Sequence, residues 1–327
     1  GYYELVDFQE WNITSLGTAE VYSRFTTEAS RGQVNPDAVF SYDPISVRQL
    51  YTAGLLQNRV TPNWSEASDA WPDRTSSDVE GMHQAFHSYG ANVFNPQVYN
   101  AADGVDKPPE NHDLEWWTDH IEDNPDFYTE NTCVYDGITS TTGWQQMDFF
   151  TVANDEDWMV DKYETIATTD PRSFWSTSTM GGWIGNGEVA YGMGMAQWII
   201  GAFTAQDFEL GYDDSPLWWS QKVTHNLHWP NWQVTEGASN PNSAKLFVDW
   251  TNSPHGQAHA SREWFLGPGR NDIPDDELRE DPVWGVSTNA QTIQEEQPFV
   301  NSIFMDFNDR TVRSEEKAKY KDMWYNI

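Results

Sequence analysis

A chain of 327 residues with 51 acidic and 18 basic side chains carries a formal net charge of -33, and a length of that order suits two lobes of about 150 residues each better than one large domain. Phosphate recognition needs a basic footprint, so nucleic acid is excluded as a partner, and anionic membrane surfaces repel the chain. The acidity is spread along the sequence, yet 15% of residues are aromatic and 18 are Trp, too much apolar area for a disordered chain; such self-repulsion in a folded protein points to a high-salt habitat, where charges are screened within about 3 Å at 1 M.

The chain opens with "YYELVDFQ", a strand pattern. "GTAEVYSRFTTEASRG" follows as a helix with Gly32 at its end. "DAVFS" from Asp37 reads as a short buried strand. "DPISVRQLYTAGLL" is a helix opened by Asp43 and Pro44 and closed near Gly54. This βαβα alternation predicts an α/β fold with a mainly parallel sheet. Gln57 to Gly90 is irregular and loop-rich. "ANVFNPQVYN" from Ala91 reads as a strand, "PPENHDLEWWTDHI" as a helix, "NTCVYD" as a strand, and "TSTTGWQQMDFFTVA" as a strand-to-helix turn with its helix. "TMGGWIGNGEVAYGMGM" ends a helix at Gly187 and opens a strand at Glu188. "NPNSAKLFVDWTNSPHGQ" is a helix with Asn240 as cap, Pro241 at its first position, and Ser253-Pro254-His255-Gly256 as its stop. "SIFMDFNDRTVRSEEKAKYKDMWYNI" is a strand-like lead into a charged helix.

One cysteine, Cys133, forbids an internal disulfide and reads as a small buried hydrophobe. No apolar run reaches the ~18 residues of a membrane span. Asn12 in "NIT" and Asn63 in "NWS" are glycosylation sequons for an exported protein.

The turn "TSTTGW", Thr139 to Trp144, places hydroxyls and a glycine where a strand meets a helix. Free N–H groups there suit an anion or a carboxylate, and ordinary N-capping explains the same residues. "NITSLGT" at Asn12 to Thr18 is a similar turn, and two such turns suit ligand binding at the carboxyl edge of an α/β sheet. His83/His87 and His255/His259 have i, i+4 spacing without a third ligand, so neither pair is read as a metal site. No phosphate loop, dinucleotide fingerprint or nucleophile elbow is present, and no cofactor is implied. Of the aromatic clusters, "HWPNW" at His228 to Trp232 is the one expected in an exposed loop, where it can form a wall for a ligand.

The order of these segments resembles the extracellular solute-binding proteins of ABC importers, in the cluster that binds ferric ion, thiamine, polyamines, phosphonates and sugar phosphates. The likeness rests on "VYSRFTTEASRGQVNPDAVFSYDPISVRQLYTAGLL", "VFNPQVYN…DKPPENHDLEWW", "ITSTTGWQQMDFF", "IGNGEVAYGM", "NPNSAKLFVDWTNSPHGQ" and "IFMDFNDRTVRSEEKAKYKDMW". It implies a type 2 periplasmic-binding-protein fold: two α/β lobes, 1–93 with 232–327 and 94–231, around a ligand cleft. The resemblance places Thr14, Ser15, Tyr42, Asp43, Ser140, Thr141, Thr142, Gly143, Tyr191, Gln197, Trp229 and Trp232 at that cleft. It implies a small polar or anionic solute, a membrane permease as partner, an extracellular, cell-surface location and, with the charge, a haloarchaeal source. No catalysis is implied. Where the ferric binders carry adjacent tyrosines after the "GE-apolar-A" strand, this chain has Gln197-Trp198, which speaks against a tyrosine-held ferric ion. The family's first strand and helix precede the segment like "YYELVDF"; either they lie upstream, with a leader and a lipid anchor, or the first lobe is completed differently. An incomplete sheet edge would also permit self-assembly into a surface structure, and the Trp and acidic content leaves a secreted carbohydrate-active enzyme as a further alternative.

Overall fold

The computed structural model describes residues 18–33, 36–65, 71, 79–174, 176–196, 199, 217–280 and 314–327, and at 18–19, 218–219, 221–223, 225–229 and 314–316 the backbone alone. The "YYELVDFQ" and "SIFMDF" segments lie outside the described residues. Helix α1 spans Thr18–Ser30, and the strand β1, Ala38–Val39, pairs antiparallel with β7, Gln233–Val234. Helix α2, Pro44–Thr52, starts as its sequence dictates: Asp43 is the cap, its carboxylate accepts the Ile45 N–H at 3.1 Å, and Pro44 fills a position that needs no donor. A single turn, α3, covers Pro62–Ser65.

The main sheet is built on β2, Gln84–Phe94, with β3 (Thr132–Tyr135), β4 (Arg172–Phe174), β5 (Tyr191–Ala196), β6 (Trp218–Pro230) and β8 (Gly267–Pro268). Its order is β4-β3-β5-β2-β6, with β8 also on β2. The β3–β4 and β3–β5 pairs are parallel, whereas β2 pairs antiparallel with β5, β6 and β8, so the sheet is mixed. The parallel part arises from helical crossovers: α7 (Thr141–Ala153) and α8 (Glu156–Ala167) separate β3 from β4. Gly194 has φ +81, and between Val93↔Gly192 and Ala91↔Met195 two steps on β2 face three on β5. That bulge turns Met195 to the opposite face from Met193.

One face of β3 and β5, Val134, Tyr191 and Met193, packs under α5 (Leu114–Asp123), α6 (Pro125–Tyr128), α7 and α8. The other face, Cys133, Tyr135 and Met195, packs on Met180 and Ile184 of α9, Thr177–Gly185. Cys133 is buried, as expected of a small hydrophobe. Separate clusters gather Phe25, Val39, Val47 and Leu50 around α1 and α2, and Val234, Ala244 and Val248 under α10, Pro241–Thr251. β2 joins the two regions: Ala85 and Phe86 pack with Ala260 of α11 (Pro254–Trp264), while Val93 and Phe94 belong to the two clusters flanking β3.

Several expectations need correction. The stretch taken as loop to Gly90 contains most of β2, whose residues are buried on both faces and include Gln84, His87 and Ser88, so no alternation marked it. "ANVFNPQVYN" is a strand only to Phe94; Asn95 then caps α4, Pro96–Ala101, by accepting the Gln97 N–H at 2.9 Å. Ser253-Pro254 is a stop and a start: Ser253 caps α11, and Pro254 is at its head. "HWPNW" is no exposed loop, because β6 runs through Pro230 and Asn231 is buried, bonding the Gly81 carbonyl and the His83 N–H. In the closing helix α12, Ser314–Asn326, Tyr320, Met323 and Trp324 pack in the cluster that α7 and α8 cover.

Beside the start of β2 lies a cluster of aromatic rings, with the Arg270 guanidinium over Trp71 at 5.5 Å. His83 is stacked on Trp64 at 3.9 Å, meets the edge of Trp71 at 4.9 Å, and bonds Asn252 Oδ1 at 3.0 Å. Burial pushes its pKa down to about 3, against a weaker upward pull from Asn252. The folded state therefore favours neutral His83, and the stability this supplies is present above about pH 6.5 and is lost as pH falls from there towards 3. His83→Gln is expected to recover about 2 kcal/mol of the stability that the natural protein loses between pH 7 and 4.5. Urea titrations of both proteins at the two pH values in molar salt check this: an equal acid loss in the variant refutes it.

Candidate functional site

The turn after β3 is wound around Asp136. Its Oδ1 accepts the N–H groups of Ile138 at 2.7 Å and Thr139 at 2.9 Å, and its carbonyl accepts the Ser140 N–H at 3.0 Å. Ser140 then caps α7 by accepting the Gly143 N–H at 3.4 Å. Ordinary capping is thus part of what "TSTTGW" does, and a carboxylate already faces the helix start. Thr141 and Thr142 are buried at 5% exposure each. Gly143 is required by close approach: a Cβ there would lie 2.6 Å from the Asp136 carbonyl oxygen and 2.9 Å from the Gly137 Cα. The next residue, Trp144, is buried, and its indole N–H meets no acceptor among the described residues.

The loop before α2 comes to this place from the other end of the chain. Tyr42 lies close enough to Tyr135, at the carboxyl end of β3, to help hold that phenol protonated; burial is the larger cause. Asp43 is ion-paired with Lys317 of α12, and the Lys317 ammonium sits 5.5 Å from the centre of the Trp144 ring. Lys321 is one turn further along α12. Its pKa is lowered, first by burial and then by Lys317, while Asp43 and Asp136 oppose the shift. Tyr42, Asp43 and Ser140 to Gly143 are therefore brought together at the carboxyl end of β3, where open α/β sheets bind ligands.

Other expected residues fall elsewhere. Tyr191 pairs with Thr132, at the amino end of β3, and is fully buried against Trp117 at 4.2 Å; it is a core residue, because strand alternation turns it into the α5 layer. Trp232 packs on Phe40 at 5.0 Å and Phe247 at 5.1 Å, in the cluster beneath α10. Trp229 is the penultimate residue of β6, described by its backbone, and Thr14, Ser15, Gln197 and the sequon Asn12 lie outside the described residues. The amide nitrogen of Asn63, where a glycan would attach, donates to Asp249 Oδ2 at 2.9 Å. His83 immediately precedes β2 and His87 lies in it, and in extended chain i, i+4 residues are about 13 Å apart and cannot share an ion. No group of three or more His, Cys, Asp or Glu among the described residues could hold a metal. Sequence reasoning missed Asp136, Trp144, Lys317 and Lys321; the clue available was a run of lysines, "KAKYK", in a chain so poor in them.

No protein-family model matches the chain, and no curated protein matches it. Solved structures do. A substrate-binding protein of an ABC transporter from Agrobacterium tumefaciens superposes with a TM-score of 0.74 at 14% identity, over 95% of this chain and 85% of that one. Iron-bound HitA from Pseudomonas aeruginosa gives 0.68 at 13% identity, over 95% and 89%. The periplasmic binding protein AfuA from Actinobacillus pleuropneumoniae, with exogenous fructose-6-phosphate bound, gives 0.67 at 18% identity, over 95% and 87%. At these identities the likeness shows the fold: the chain has the type 2 periplasmic-binding-protein architecture.

The turn geometry predicts an ordering of effects. Gly143→Ala is expected to cost about 1–3 kcal/mol, because backbone must move to admit the methyl group. Ser140→Ala, which removes one cap acceptor, is expected to cost about 1 kcal/mol. Denaturant midpoints of the two variants check the order; a milder Gly143→Ala overturns the close-approach reading.

Proposed function

We propose that the protein is the solute-capturing component of an ABC-type importer, working outside the membrane and delivering a small polar or anionic solute to a permease. The observation that carries this reading is the convergence of the Tyr42–Asp43 loop on the first turn of α7 at the carboxyl end of β3, in a fold that matches solved binding proteins over 95% of the chain. The buried indole N–H of Trp144, which meets no acceptor among the described residues, and the Lys317 ammonium beside its ring supply donors for such a solute. The division into lobes follows 1–93 with 232–327 and 94–231, except that α12 rides on α7 and α8. Capture works by closure: a solute touching both sides of the cleft binds the closed form better and shifts the population towards it. No described helix is long and apolar enough to cross a membrane. The charge of -33 belongs to a salt-rich surrounding.

A panel of small anions, sugars, sugar phosphates and metal ions, screened by thermal shift in molar salt, tests the reading. A true solute at a hundred times its dissociation constant is expected to stabilise the protein by about 2.7 kcal/mol, and Trp144→Phe is expected to weaken that response. Turnover of a glycan, or filaments formed without any binding, would overturn the proposal.

A further inference from the structure

Three of the chain's seven lysines, Lys317, Lys319 and Lys321, lie on α12. One face of this helix is anchored: Tyr320 is fully buried, Met323, Trp324 and Ile327 pack against the same cluster, and Lys319 pairs with Glu156 at the head of α8. Trp324 lies over Gly137, where a Cβ would come within 2.9 Å of the indole. From that anchored helix Lys317 reaches to α2. Its ammonium meets the Asp43 carboxylate, whose side chain is 1% exposed, and faces the ring of Trp144. Asp43 also accepts the Ile45 N–H and, at 2.5 Å, the Ser46 hydroxyl.

A buried carboxylate oriented by two donors, with an aromatic face beside it, is the acceptor set that suits an ammonium group. We propose that Asp43, Ser46 and Trp144 form an ammonium cradle, that Lys317 fills it from within the chain, and that α12 thereby latches the α2 cap to α7 across the candidate site. The loop so held is the one that carries Tyr42 to Tyr135, so releasing Lys317 frees one wall of the site. With Lys317 seated, the charge of Asp43 is cancelled; with Lys317 withdrawn, a carboxylate stands open to an external primary ammonium. The cradle stands on its own contacts, whereas its role as a gate rests on the solute-binding reading.

The test needs no solute. Lys317→Ala keeps the Cβ and removes three carbons and the ammonium, the size of n-propylammonium. In matched molar KCl this variant is expected to show a larger radius of gyration by X-ray scattering than the natural protein, and a melting temperature lower by about 3 °C or more. Adding n-propylammonium chloride is expected to restore at least half of both changes. 1-Propanol is expected to restore neither, and n-propylammonium is expected to have no effect on Asp43→Asn/Lys317→Ala. Lys317→Met, which keeps length without charge, is expected to expand in the same way and covers the case in which the alanine variant does not fold. A methionine variant as compact and as stable as the natural protein, or equal rescue by the alcohol, overturns the latch. Failure of the solute panel together with ammonium rescue would remove the importer reading and leave the cradle standing.

Discussion

A strand that is hydrogen-bonded along both edges and covered on both faces cannot shift without exposing backbone donors and acceptors to an apolar interior, and β2 is such a strand. It pairs with β5 and β8 on one side of its path and with β6 over most of its length. All 11 of its residues are buried. At about 3.4 Å per residue it spans some 35 Å, enough to carry one end into the α11 cluster and the other into the clusters around β3. Helices α2 and α7 both contact β6, the strand paired along β2, so the placement of the Tyr42–Asp43 loop relative to the α7 turn is set by long-range sheet pairing rather than by local chain stiffness. Two walls built on one shared sheet can move relative to each other by bending it, which is what the proposed capture by closure demands.

Buried polar chemistry is matched to that frame group by group. Arg270 is 3% exposed and donates to Asp272 and to the carbonyls of Asn63 and Asn252. His83 is held neutral by aromatic walls. Asp43, equally buried, draws its counter-charge from α12, whose Tyr320 shares one core cluster with Ile45 of α2 and Trp144 of α7. A buried ion pair whose two members belong to different elements stabilises one relative placement of those elements, and it contributes little to either element alone.

Local chemistry was legible in the sequence and distant pairing was not. Asp43-Pro44 and Ser140 to Gly143 announce helix starts through residue types that satisfy free N–H groups, and both are found there. The crossing strand was hidden because burial on both faces removes the period of two, and its polar residues mimic a loop. Tyr191 was placed at the cleft by resemblance, yet a one-residue step on a strand decides which face a side chain takes, and position 191 faces the core. The partner of Asp43 lies 274 residues away, beyond the reach of any local pattern.

High salt sharpens which charges count. Exposed pairs such as Arg172–Glu188, both side chains above 40% exposure, lose most of their attraction when the screening length falls to about 3 Å. The mutual repulsion of the acidic surface is damped by the same ions. Asp43 and Lys317 meet where one member is sealed from solvent and the other is largely covered, so their attraction survives conditions that erase surface pairs. At molar salt the pair between α2 and α12 is therefore one of the electrostatic contacts that keep their strength.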